Sequence, residues 1–300
     1  MALTVWMNGS FVVPDEANVS IFDAGMQHAV GLFETMLARN GRVFRPRAHM
    51  TRLAGSASEL MLTERLRADA LAEACDLVAA RSELGSARIR LTITGGDLSG
   101  LQAEGRSQQD PTVMIVAQPS TEYPPEFFER GVMVTVADVK ANPLSMHAGH
   151  KTMNYWERIQ CLQIAGSRGG SESLWFSATN HLASGCVSNI FAVRDGSLIT
   201  PIARGEEAAG SLRAPVLPGV TRAAIIELAE AAGLNVEKRM MDIDDVMRAE
   251  ELFLTNSGWG VLPVVAVEAT SIGGGKVGEV AAAMRAAWLD LVETETRGEG

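Results

Sequence analysis

A chain of 300 residues, 47% hydrophobic and 21% charged, has the make-up of a soluble globular protein and length for about two domains. Its net charge of −10 argues against nucleic acid as the main partner, because phosphate contacts need clustered Lys and Arg, and no run of about 18 apolar residues is present to span a membrane. The N-terminus lacks a signal peptide's basic-then-apolar layout; Cys75, Cys161 and Cys186 lie far apart without a CxxC pair, which suits reduced thiols in a cytoplasmic protein without disulfide framework or metal site.

The first fifty residues predict strands joined by tight turns: 4–7 and 11–13 flank Asn8-Gly9, and 32–38 and 42–44 flank Asn40-Gly41. Asn-Gly readily supplies the positive φ angles of a type I′ hairpin turn. Apolar residues returning at three and four predict helices over 49–61 and 68–83. Strands are expected at 87–94 and 112–118, with the polar, Gly-rich stretch 95–110 between them as a loop. Adjacent prolines in 120–125 (STEYPP) favour extended chain, a linker between a smaller N-terminal domain, 1–119, and a larger C-terminal one, 126–300. Beyond it come a strand at 132–139, a polar turn rich in His and Gly, a helix over 155–165 and short strands at 173–176 and 189–193. A helix over 221–232, a strand at 251–255 and a helix over 277–292 follow, and the charged tail 293–300 is expected to fray. No internal repeat is present. The fold class is α/β (α+β): two mixed α/β domains, with hairpins dominating the first.

The most informative stretch is Gly149-His150-Lys151-Thr152-Met153-Asn154-Tyr155-Trp156. An isolated lysine between strand and helix is usually a solvated surface residue. A lysine that attacks an aldehyde must be sheltered so that its amine can lose its proton, and the flanking His, Asn, Tyr and Trp suit such a shelter. Arg52, on an amphipathic helix, is by itself an ordinary solvated or ion-paired residue. Leu217-Pro218-Gly219-Val220-Thr221-Arg222 introduces an apolar helix, whose N-terminal N–H groups and positive dipole end make an anion site; a plain helix start capped by Thr221 is the alternative. Thr255-Asn256-Ser257-Gly258 follows a strand as a turn.

Together these runs resemble the class IV aminotransferases, the fold type IV pyridoxal-phosphate enzymes, which include branched-chain and D-amino acid aminotransferases and aminodeoxychorismate lyase. The resemblance covers roughly residues 5–288. Lys151-Thr152-Met153-Asn154-Tyr155 matches the K-T-x-N-Y pattern, and the resemblance implies Lys151 as the Schiff-base residue and Tyr155 as a partner of the cofactor's phenolic oxygen. Asp23-Ala24-Gly25 through Gly31-Leu32-Phe33-Glu34-Thr35 is similar to a second signature, and His49-Met50-Thr51-Arg52-Leu53 implies Arg52 as a phosphate ligand. Val220, Thr221, Asn256 and Ser257 are the further phosphate-binding positions so implied, with Asn189 also at the cofactor. The cofactor is then pyridoxal 5′-phosphate, the substrates are an amino acid and a 2-oxo acid, and the assembly is a homodimer whose sites borrow a loop from the partner, for which 95–110 is the candidate.

Two departures stand out. Where the family reads E-G-x-x-S-N, with its glutamate beside the pyridine nitrogen, this chain reads Ser184-Gly185-Cys186-Val187-Ser188-Asn189, so Ser184 replaces the glutamate. An ionised carboxylate favours a protonated pyridinium, and a hydroxyl does this far less well. Glu172 aligns with a separate family position. Second, Gly95 stands where D-amino acid aminotransferases and the lyase commonly carry an arginine for a substrate carboxylate. Arg88 or Arg90 on the preceding strand is the alternative, and Phe33, Thr35 and Arg90 are the candidate substrate residues. Thr35 leans toward the lyase. The leading expectation is an aminotransferase with Lys151 as both anchor and proton carrier; a lyase of the aminodeoxychorismate kind is second, and a nearly inactive pyridoxal-phosphate-binding protein, with Ser184 as its lesion, third.

Overall fold

The computed structural model describes residues 3–64, 66–98 and 111–297. They fall into two compact units: Met1–Thr121 with Lys151–Asn154 and Val292–Gly300, and Glu122–His150 with Tyr155–Leu291.

The first unit runs β1 (Thr4–Met7), β2 (Ser10–Val12), α1 (Ala24–His28), β3 (Gly31–Arg39), β4 (Arg42–Val43), α2 (Pro46–Glu59), α3 (Ala68–Arg81), β5 (Ser86–Thr94) and β6 (Val113–Pro119). Its sheet has the order β2-β1-β6-β5-β3-β4, with every pairing antiparallel. Both predicted Asn-Gly hairpins form, with positive φ at Asn8 and Gly9 and at Asn40 and Gly41. β5 shows why this sheet has two faces. Ala87, Ile89, Leu91 and Ile93 are buried in one core with Met50, Leu53 and Ala57 of α2 and Cys75 and Val78 of α3, while the alternate residues Arg88, Arg90 and Thr92 stay more exposed. Of the loop expected over 95–110, residues 99–110 lie outside the described residues.

The second unit holds α4 (Glu126–Glu129), β7 (Val132–Ala141), α5 (Trp156–Ser167), β8 (Glu172–Ser177), β9 (Leu182–Gly185), β10 (Asn189–Arg194) and β11 (Ser197–Thr200). It continues with α6 (Val220–Ala231), β12 (Asn235–Lys238), α7 (Ile243–Met247), β13 (Glu251–Asn256), β14 (Gly260–Val267), β15 (Thr270–Ser271) and the helix α8 (Glu279–Thr296), whose last residues belong to the first unit. The sheet order is β12-β11-β10-β13-β14-β7-β8-β9, with β15 beside β14. It is mixed: β7 runs parallel to β14 and β8, and β11 to β12. β8 and nearly all of β10 are buried, as central strands must be, and Phe191 stacks on Phe253 across β10 and β13 at 5.1 Å.

Two expectations need correction. The tail does not fray at residue 293: α8 continues to Thr296, whose buried hydroxyl donates to Val292 O, and Glu295 accepts from the Arg45 side chain at 3.0 Å. The strand β14, not predicted, contains Pro263, a residue that argues against a central strand. Pro263 is tolerated because it faces Phe253 of β13, while the ladder to β7 begins only at Val264.

Candidate active site

In the first unit the chain around Lys151 is stitched to β3. Phe33 N donates to Lys151 O at 3.0 Å, Met153 N donates to Gly31 O at 2.9 Å, and Leu32 and Thr152 form an antiparallel bridge. This close approach explains Gly31: a Cβ there would lie 2.5 Å from both Ile93 O and Met153 Sδ. Phe33 is buried and presents its ring to two cations, with Lys151 Nζ 4.4 Å and Arg90 Cζ 3.5 Å from the centroid. Arg90 sits opposite Thr35 in the β3–β5 register. Arg88 shares that face but is exposed and bonds Gln118, so of the two arginines it is Arg90 that joins Phe33, Thr35 and Lys151.

Glu34 points the other way from Phe33, as successive strand residues must. It meets Arg52 of α2, whose Nε donates to Oε1 at 2.9 Å and whose Nη2 donates to Oε2. His49 Nδ1 lies 2.8 Å from Oε2. A carboxylate only accepts, so Nδ1 carries the proton here, and its 3.3 Å approach to Arg52 Nη2 is proximity rather than a second hydrogen bond. Burial alone pushes the Glu34 carboxyl up, but the Arg52 guanidinium and the His49 ring hold it at about 2. Burial pushes the His49 ring below its ordinary 6.5, against the pull of Glu34 and with help from the Arg52 and Lys151 charges. Sequence reading found Arg52 but neither of its partners. His49 and Arg52, three apart, share a face of α2, but nothing in the spacing ties either to Glu34 until β3 is laid beside α2.

In the second unit the candidates gather around the turn 184–189. Glu172, fully buried, organises it: its carboxylate accepts from the backbone N–H groups of Ser173, Cys186 and Val187 and from the Ser188 hydroxyl, at 2.9–3.1 Å. Ser184 donates to Gly185 O at 2.8 Å. Arg158, in the first turn of α5, donates through Nη1 to Gly185 O at 2.9 Å and Cys186 O at 2.8 Å, and lies 3.4 Å from Ser184 Oγ. Tyr155, at the N-cap of α5, has its ring 5.7 Å from the Arg158 guanidinium. Arg158 was not singled out from the sequence; its place three residues after Tyr155, on the same helix face, is the signal that marks it.

Asn256 holds the far side of this turn. Its Nδ2 donates to Val187 O at 3.3 Å while its Oδ1 accepts from Gly258 N and Trp259 N, so its side chain shapes the loop that carries the half-buried Ser257. Asn189, buried at the head of β10, donates to Leu217 O at 2.8 Å and packs against Gly219, where a Cβ would come within 2.0 Å of Asn189 Oδ1. Gly219 is the N-cap of α6 and offers no capping side chain, so the N–H groups of Val220 and Thr221 open the helix without a side-chain acceptor. Thr255, paired with Asn189 in the sheet, has a buried hydroxyl with no hydrogen-bond partner among the described residues.

Each unit taken by itself offers groups that suit a phosphorylated aldehyde. In the first, the paired guanidinium of Arg52 is a donor for anionic oxygens and Lys151 is the amine an aldehyde needs. In the second, an uncapped helix start, a glycine packed too closely for a Cβ and an orphaned buried hydroxyl are groups that anionic oxygens need.

The comparisons agree with that chemistry. A family model described as Amino-transferase class IV matches residues 31–267. The putative branched-chain-amino-acid aminotransferase of Methanocaldococcus jannaschii is 28% identical over 290 residues, 96% of each chain. The solved structure of the Escherichia coli branched-chain amino acid aminotransferase has a TM-score of 0.88 at 28% identity, covering 100% of this chain and 97% of that one. A second branched-chain amino acid aminotransferase, from T.th. and solved with pyridoxamine 5′-phosphate, has a TM-score of 0.87 at 26% identity, covering 100% and 96%. The aminodeoxychorismate lyase of Bacillus subtilis is similar at 24% identity over 94% of this chain and 92% of its own.

Proposed function

Because the chain belongs to the class IV aminotransferases, we propose that Lys151 is the covalent anchor of pyridoxal 5′-phosphate in an enzyme that moves an amino group between an amino acid and a 2-oxo acid. The observation that carries this is the double stitch of Lys151 and Met153 to Phe33 and Gly31, which fixes the lysine's backbone and sets its amine over the Phe33 ring. When bound, pyridoxal phosphate supplies an aldehyde that takes up the amino group and a ring that draws electrons from the substrate's Cα. The protein's part is to hold and orient. Arg52, kept in place by Glu34, binds phosphate oxygens, as do the opening N–H groups of α6 at Val220 and Thr221 and the Ser257 hydroxyl. Asn256 and Asn189 shape those two loops. Tyr155 would hold the cofactor's phenolic oxygen, and Ser184 would face its ring nitrogen. Lys151 takes and returns the Cα proton with the same amine that anchors the cofactor, so positioning and proton transfer come from one group.

Arg90 binds a substrate carboxylate, with Phe33 and Thr35 beside it. Gly95 supports an aminotransferase of the branched-chain kind over the lyase or a D-amino acid enzyme. A Cβ at 95 would come within 2.9 Å of Val30 Cγ1, so an arginine there would have to displace that side chain. Ile21, Phe22 and Met26 are large apolar residues left exposed on the first unit, which supports a homodimer. The three cysteines are buried and free, in keeping with a cytosolic enzyme. An amino-donor panel followed by cofactor absorbance tests the activity. One amino acid should convert the bound cofactor to its amine form and a 2-oxo acid should restore it. Release of pyruvate from aminodeoxychorismate without an oxo-acid acceptor would replace this reading with the lyase.

A further inference from the structure

Arg158 is a partly buried cation without a counter-ion among the described residues. Its three hydrogen-bond partners, Gly185 O, Cys186 O and Ser184 Oγ, are all neutral and all meet the single atom Nη1. Its Nε and Nη2 have no hydrogen-bond partner among those residues. The nearby carboxylate of Glu172 is committed to three backbone N–H groups and the Ser188 hydroxyl. The Trp175 ring, 4.7 Å from the guanidinium, and the Tyr155 ring complete its surroundings. Moreover, the first turn of α5 is the wrong end of a helix for a positive charge, because the exposed N–H groups there repel it. Stapling the 184–186 carbonyls needs only a neutral donor. A full positive charge, held against the helix dipole and without an ion-pair contact among the described residues, calls for another explanation.

We propose that Arg158 reverses the electrostatics at the ring-nitrogen end of the cofactor site, presenting a cation and its own N–H donors beside Ser184 where an anion would otherwise stand, so that the pyridine nitrogen stays unprotonated. The inference rests on the reading that Ser184 faces that nitrogen. A second positive charge a few ångströms from a guanidinium is disfavoured, while a neutral pyridine nitrogen is an acceptor that an N–H donor matches. Ser184 adds no opposing charge, since its own proton goes to Gly185 O. A glutamate placed at 184 would therefore meet Arg158 before it met the ring, and the two would neutralise each other.

The test uses holoenzyme reconstituted with pyridoxal phosphate labelled with nitrogen-15 in the ring, whose NMR shift reports protonation without turnover. The wild type should show an unprotonated nitrogen at pH 7. Arg158→Gln should raise the pH at which it takes a proton by on the order of one pH unit or more. Arg158→Lys, which keeps the charge, should leave it near the wild type, and Arg158→Met, also neutral, takes the place of the glutamine protein if that one does not hold cofactor. The increment due to Ser184→Glu should be smaller in the wild-type background than in the Arg158→Gln background, because the arginine masks it. Borohydride reduction and peptide mapping separate the two levels of argument. A pyridoxyl mark on a lysine other than Lys151 overturns the underlying site reading. With the mark on Lys151, a protonated wild-type nitrogen at pH 7, or a titration that Arg158→Gln leaves unmoved, overturns the role of Arg158 alone.

Discussion

Arg52 and Glu34 meet as two forks, Nε on Oε1 at 2.9 Å and Nη2 on Oε2, with the arginine side chain 10% and the glutamate 1% exposed. The pairing fixes the guanidinium plane before any phosphate arrives, so no rotamer freedom need be lost on binding. Glu34→Ala should cost about 3–5 kcal/mol of stability, since it removes the buried carboxylate that accepts from both Nε and Nη2 of Arg52, and urea unfolding of cofactor-free protein reads this directly. Arg52→Ala should also weaken cofactor retention by about tenfold or more, the loss of a charge-assisted hydrogen bond of about 1.5–3 kcal/mol. Arg45, which pairs with Glu295, is the control. Equal retention by Arg45→Ala and Arg52→Ala would remove the phosphate role from Arg52.

The same cluster makes stability depend on pH. Glu34 is held at about 2, below its ordinary 4.5, and His49 is pushed below 6.5 by burial. In both cases the unfolded chain binds a proton that the folded chain refuses, so stability rises with pH and is lost on acidification. His49 acts first, as pH falls below about 6.5, and Glu34 follows below about 4.5. The midpoint of thermal unfolding should therefore fall between pH 7 and 5.5, and His49→Gln should flatten that segment while leaving the steeper loss below 4.5. An unaltered slope in the variant would assign the effect to other groups.

Replacing Lys151 with alanine should abolish the borohydride-reducible link to cofactor without unfolding the protein, because the two hydrogen bonds that pin the segment are backbone bonds. Lys140 lies over Phe176, 5.3 Å from the ring centroid, and is the alternative lysine that peptide mapping must exclude.

What the sequence made legible follows from how local each determinant is. Asn8-Gly9 and Asn40-Gly41 announce their hairpins because the turn conformation is written in two adjacent residues. The helices α2, α3, α5, α6 and α8 show their period within a single window. β14 was hidden by Pro263, whose tolerance depends on where the neighbouring β7 ladder begins. At the site, Lys151, Arg52 and the Gly219 helix start were readable from pattern. Glu34, Glu172 and Arg158 were not, because each acts on a group 14 to 28 residues away that only the folded sheet brings near. Ser184 was readable as a departure, yet the charge beside it was not.

Gly219→Ala tests the helix start of α6. The added methyl would land 2.0 Å from Asn189 Oδ1, so Asn189 must move and release its bond to Leu217 O. The clash and the lost bond together should cost about 1–3 kcal/mol. Alanine is otherwise acceptable here, since the backbone φ of −69° is ordinary. Cofactor retention should fall along with stability if the first turn of α6 binds phosphate. Wild-type retention in a destabilised Gly219→Ala protein would leave the turn a purely structural element.

Arg90 offers the sharpest separation of substrate from cofactor. Its guanidinium lies 3.5 Å from the Phe33 centroid and its Nε donates to Thr92 Oγ1 at 3.3 Å, so the group is oriented by its own sheet. The Phe33 ring also carries the Lys151 amine, which brings the proposed carboxylate-binding group and the proposed anchor to one aromatic side chain. Arg90→Gln keeps a hydrogen-bond donor and most of the length but removes the charge and the fork. A substrate carboxylate bound there loses a charge-assisted pair worth about 1.5–3 kcal/mol, or about tenfold to a hundredfold in kcat/KM. The loss should appear in KM for both the amino donor and the 2-oxo acid, since each carries the carboxylate. The covalent link to Lys151 and the affinity for cofactor should stay near the wild type, because Arg90 is not among the proposed phosphate ligands. Half-reaction kinetics with the best donor, set beside a titration of cofactor release, distinguish the outcomes. A variant that lost cofactor while keeping its KM would place Arg90 at the cofactor instead, and would move the substrate carboxylate to another cation.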